Sequence, residues 1–206
     1  RMTSDKFFVS NKEKFDLIFV DGLHRYEQVR KDIINSLKCL NEKGIILFHD
    51  CFPLTYYDQA CPRAQRKWNG DVWKAVVEFR TYENIRTYVG NFDNGIGMIT
   101  NKLNDNPLKI DNKNFKSLKY VDYYNNYKNY LNLVNIEKFY IEFVFTFCYQ
   151  FVFRLMHLSV FGKEWRFKHI MMQLFVILSF MQNLSIILIL FIQRNKDQKV
   201  SLMMNG

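Results

Sequence analysis

Two short apolar runs, Asp16-Leu-Ile-Phe-Val-Asp21-Gly-Leu-His24 and Gly44-Ile-Ile-Leu-Phe-His49-Asp50, each end in ionisable side chains. Carboxylates at neighbouring strand tips can share one hard cation, completed by water and substrate oxygens. A Mg²⁺ held by Asp21 and Asp50, with His49 as a further candidate ligand, would lower the pKa of a substrate hydroxyl and hold it in place. His24 would then take the proton, because imidazole titrates near neutral pH. The competing reading is that Asp21 caps the following helix and His49 is a satisfied core side chain.

The elements that would bring these residues together are legible in outline. Apolar runs of this length, bounded by Gly and polar residues, read as buried parallel strands, and in open α/β sheets ligands bind beyond their carboxyl ends. Between them, Tyr26 to Leu40 places Val29, Ile33, Ile34, Leu37 and Leu40 at helical spacing. Gly44 is expected to end that helix as a left-handed cap, and the short return to the second strand implies a right-handed parallel crossover.

Beyond Asp50 the pattern continues. Residues 51–69 contain Pro53 and Pro62 and few periodic apolar positions, so they are expected to form a substrate lid. A second helix should start at Asn69-Gly70-Asp71 and pack through Val72, Trp73, Val76, Val77 and Phe79, with Asp71 at its positive end. Ile85–Val89 and Gly95–Thr100 read as strands whose connection is too short for a parallel crossover, hence antiparallel. The expected sheet is mostly parallel, closed by one reversed strand, with a helix in the Tyr120–Leu133 stretch.

Composition narrows the classes. Net charge is +9 and pI about 9.3, but the basic residues are scattered, so no specific nucleic-acid partner is expected. Cys39, Cys51, Cys61 and Cys148 show no CxxC spacing, which argues against structural zinc and for reduced cytoplasmic thiols. Cys39 falls in a helical pattern and reads as core.

The composition changes sharply near residue 140. Residues 142–161 are apolar around Arg154, and 170–192 are long enough to cross a bilayer, flanked by Arg166, Lys168, Arg194, Lys196 and Lys199. Three readings of 140–206 stay open: a membrane hairpin, an apolar packing extension, or sequence not native to the preceding domain. The chain begins at Arg1 instead of Met and reads as a fragment.

The residues Phe15-Asp-Leu-Ile-Phe-Val-Asp-Gly-Leu-His-Arg-Tyr-Glu27, Asp32-Ile-Ile-Asn-Ser-Leu37, Gly44-Ile-Ile-Leu-Phe-His-Asp-Cys51 and Trp68-Asn-Gly-Asp-Val-Trp-Lys-Ala75 carry a resemblance. Over 1–139 the chain resembles the carboxyl-terminal part of a class I S-adenosylmethionine-dependent methyltransferase, most closely the bacterial domains found beside sugar and surface-glycan genes. The resemblance implies a Rossmann-like fold of parallel strands plus a terminal antiparallel pair. It also implies S-adenosylmethionine as cofactor, bordered by Thr3, Ser4 and Asp5 at the adenine and by Asp21 and Gly22 at the methionine end. It places a metal-binding acid at Asp21 and at Asp50, makes His24 the catalytic base, and points to O-methylation of a sugar or small-metabolite hydroxyl. The family's glycine-rich loop and ribose-binding acid are missing from these residues. Rival expectations are a non-catalytic, membrane-associated remnant of such a domain and a metal-dependent phosphohydrolase built on His49-Asp50. The phosphohydrolase lacks further ligands, since only His24, His157 and His169 lie outside that dipeptide's own His.

Overall fold

In the computed structural model, which describes residues 2–146, the chain starts with a short helix α1 (Ser4–Ser10) capped by the Thr3 hydroxyl. Strand β1 (Phe15–Val20) follows, then helix α2 (Tyr26–Lys38) and strand β2 (Leu40–Phe48). The remaining elements are α3 (Tyr56–Gln59), α4 (Trp73–Arg80), β3 (Arg86–Gly90), β4 (Ile96–Thr100), α5 (Tyr120–Leu131) and β5 (Leu133–Val134). A further helix starts at 136 and runs through 146.

The five strands form one sheet in the order β1-β2-β4-β3-β5. β1 is parallel to β2 and β3 to β5, while β4 is antiparallel to both β2 and β3. The expected mixed α/β sheet is present, with a single reversed strand. That strand does not close the sheet but lies between β2 and β3, and the two-residue β5 extends the far side. A two-residue strand has no period to read, so it was invisible in the sequence.

Gly44 corrects the expected helix end. The helix stops at Lys38, Cys39 is its carboxyl-terminal cap, and β2 begins at Leu40, because Lys14 Nζ and the Phe15 N–H bond the carbonyls of Lys38 and Cys39. Gly44 lies inside β2. Its neighbourhood is a bulge, since pairing jumps from Phe15 opposite Leu40 to Leu17 opposite Ile45. A Cβ at Gly44 would sit 2.5 Å from the Leu40 side chain, so the close approach requires glycine here without any left-handed turn.

Alternation along the strands sends side chains to two apolar layers. Ile46, Phe48, Val89 and Ile99 pack with Val29 and Ile33 of α2, Val76 and Phe79 of α4 and Leu131 of α5. Ile45, Tyr88, Ile96, Met98 and Val134 face the other way and pack with Phe139 from the 136–146 helix. The α4 packing face is as expected: Val72, Trp73, Val76, Val77 and Phe79 are all buried. Cys39 is buried, as its helical position suggested.

Between α2 and α4, buried Glu78 takes hydrogen bonds from Tyr26 Oη (2.7 Å), Arg30 Nε (2.8 Å) and Tyr82 Oη (3.2 Å). Burial, then the bond to Glu78, pushes the Tyr26 hydroxyl pKa up. The apolar segments within 147–206, including 170–192, lie outside the described residues. Among the described residues no helix is long and apolar enough to cross a membrane.

Candidate active site

β1 and β2 run in register to Val20 opposite Phe48, so Asp21 and His49 leave the sheet side by side. Asp50 then turns back with φ 62°, a left-handed conformation that Asp tolerates better than most residues. That turn buries its carboxylate, at 4 % exposure, beneath two imidazoles. Asp50 Oδ2 lies 3.1 Å from His24 Nδ1 and 3.1 Å from His49 Nδ1.

The two histidines have different chemistry. His24 Nδ1 also lies 3.2 Å from the Trp68 carbonyl, which can only accept. Both neighbours of Nδ1 are acceptors, which suits a proton on that nitrogen. Nε2 lies 3.4 Å from Asp21 Oδ1. The ring stacks on Trp68 with centroids 5.3 Å apart, which holds its plane.

His49 likewise has a carboxylate near each nitrogen, Asp50 at Nδ1 and Asp93 Oδ2 at 3.4 Å from Nε2. Its pKa is pushed up to about 9, first by the bond to Asp50 and further by the charges of Asp50, Asp93 and Asp21, against the opposing effect of burial. At neutral pH it is therefore an imidazolium.

The walls come from loops locked by their own hydrogen bonds. Residues 51–69 fold around Asp58, 2 % exposed, which bonds the Thr55 N–H and Gln65 Nε2 and whose carbonyl accepts from Asn69 and Gly70. Gly70 has φ +62°, and its Cα is so close to the chain at His24 that a Cβ would lie 1.7 Å from the His24 carbonyl oxygen. Asp71 acts on a neighbouring helix: its Oδ1 accepts from the Tyr26 N–H, 2.8 Å away, at the start of α2. Asp21 does not cap α2, whose cap residue is Arg25.

Asp21, His24 and Asp50 offer ligand atoms within 4.8 Å of one another, an arrangement able to hold a metal ion. Thr3, Ser4, Asp5, Asp21 and Gly22 line a separate cavity of about 690 Å³, together with the apolar Phe7, Phe19 and Leu23. Part of that polar set is already engaged. The Thr3 hydroxyl caps α1, and Asp5 pairs with Lys31 at 2.8 Å and with Gln28 at 3.2 Å.

Residues 1–51, which include β1, α2, β2 and every expected site residue, Asp21, His24, His49 and Asp50 among them, match the family described as a methyltransferase domain. Over this stretch the chain is similar to a methyltransferase domain. None of the curated proteins matches the chain. Past residue 51 the same sheet continues through β4 and β3, and from this part of the chain come Trp68 and Asp93, the two site residues without an assigned role in the sequence. Asp93 occupies the five-residue stretch between β3 and β4, and only the register that puts β4 beside β2 brings it to His49.

Proposed function

We propose that this methyltransferase domain transfers a methyl group from S-adenosylmethionine to a hydroxyl of a sugar or small metabolite, with His24 as the base. The observation that carries the reading is the placement of the His24 ring, with two acceptors at Nδ1 and the Asp21 carboxylate beside Nε2, where it would stabilise an imidazolium formed by taking a proton. Asp50 orients the ring from its buried side.

The 690 Å³ cavity along α1 and the β1 tip supports the cofactor assignment. Its apolar side chains suit a purine ring, and the carboxylate of Asp21 suits a cation. When bound, the cofactor supplies a methyl group already activated by its sulfonium. The chain's own tasks are then to align the acceptor oxygen and to remove its proton at His24 Nε2.

A second form of the reading is favoured by the clustered donors of Asp21, His24 and Asp50. A Mg²⁺ held by the two carboxylates would compete with the His49 imidazolium for the same oxygens, so its binding should release a proton from His49. The test is methyl transfer by the full-length protein to candidate sugars, with and without EDTA, beside His24→Gln. Turnover unchanged by the substitution would remove His24 from the mechanism. Indifference to chelator would remove the metal and leave the His49 charge in its place.

A further inference from the structure

We propose that a second cavity, lined in part by Ala60, Cys61 and Pro62, binds an organic phosphate: a ring stacked on tyrosines with its phosphate held by Arg25 and Lys119. The cavity measures about 1030 Å³ and is formed by the start of α2, the α3 region and the start of α5. Its volume is of the size that holds a small organic ligand.

Charge is the first argument. Four cations, Arg25, Lys74, Lys116 and Lys119, line it against two acids, Glu27 and Asp71. Lys116 pairs with Glu27, and Lys74 lies 3.3 Å from Asp71. Arg25 and Lys119 remain, and neither has a carboxylate within salt-bridge distance among the described residues. Two uncompensated cations match the dianion of a phosphate monoester, and a guanidinium suits its oxygens in a bidentate manner.

The second argument is aromatic. Tyr56, Tyr120 and Tyr124 also line the cavity; Tyr56 meets Tyr120 edge-on at 5.9 Å, and Tyr120 meets Tyr124 at 6.3 Å. Tyr56 and Tyr124 are 59 % and 64 % exposed, a large apolar area to leave in water without a partner. Rings of this kind stack on a sugar face or a nucleobase. The cavity shares a wall with the histidine cluster, because Trp68 stacks on His24 and donates to the carbonyl of Ala60, a cavity residue.

Calorimetric titration of the full chain with inorganic phosphate, glucose 6-phosphate, uridine 5′-monophosphate, glucose and uridine tests the proposal, independently of any methyl transfer. At least one ring-bearing phosphate should bind more tightly than inorganic phosphate, and more tightly than its own neutral parent; the tighter of the two identifies the ring as sugar or nucleobase. Arg25→Ala and Lys119→Ala should each weaken that binding roughly tenfold. Tyr124→Ala should weaken it while leaving inorganic phosphate unaffected. Lys12→Ala, an exposed lysine outside the cavity, should change nothing. The proposal fails if no ring-bearing phosphate binds or if the neutral compounds bind equally well. It also fails if the Arg25→Ala, Lys119→Ala double variant keeps full affinity, or if Lys12→Ala costs as much as either.

Discussion

His24 and His49 lie on the same carboxylate oxygen yet should answer differently to substitution. His24→Gln keeps the size of the side chain but removes the basic nitrogen, so in the full-length protein turnover should fall by roughly 10²–10⁴ while acceptor KM changes little. Steady-state kinetics at saturating cofactor measure the split. His49 makes a different prediction, because its charge depends on neighbours it does not share with His24. Asp93→Asn removes one of the carboxylates facing it, so the midpoint of His49 should move from about 9 toward 6.5 but stop short, since the bond to Asp50 is the larger cause. Imidazole resonances followed through a pH titration report this directly. The residue types at the two strand ends were legible in the sequence. Their division of labour was not, because it depends on which acceptor faces which ring nitrogen.

At the scale of elements, the site depends on how closely the start of α4 approaches the turn before α2. Gly70→Ala would drive a Cβ into the His24 carbonyl, where the obstacle is backbone and cannot rotate away. The expected loss is roughly 3 kcal/mol or more, read as a lower denaturant midpoint. Gly22→Ala is the matching control, since the nearest atom to its Cβ would be Asp32 Oδ2 at 4.0 Å, and its stability should stay within about 0.5 kcal/mol of the parent. The α2–α4 contact is held by polar groups as well as apolar ones. Glu78→Ala would strand the buried Tyr26 hydroxyl while Arg30, 42 % exposed at its side chain, can turn to water, so a loss of about 2–3 kcal/mol is expected. Helices α2 and α4 and strands β1 to β4 were readable from apolar spacing, whereas the seven-residue α1 was not. Gly44 misled, because a glycine after a helical run signals a cap as readily as a bulge, and only the pairing of β1 with β2 distinguishes them.

For the molecule as a whole, the raised pKa of His49 couples folding to pH. Its folded value of about 9 lies above the ordinary 6.5, so its contribution to stability is fully present below pH 6.5 and is lost as pH rises through 9. Denaturation midpoints compared between the parent and His49→Gln should therefore differ most at about pH 6 and converge above about pH 10. The sequence by itself determined the class of fold, the two strand tips and the Asp and His pairs at them, because apolar period and residue chemistry are local properties. It also carried the family resemblance, which the match over residues 1–51 bears out. Only the tertiary structure decided that the reversed strand lies between β2 and β3 and not at the sheet's edge, that Asp93 reaches His49 and Trp68 reaches His24, and that the 51–69 loop closes on Asp58. Each of these joins residues far apart in the chain through register or packing, and neither is written in the spacing of any one segment.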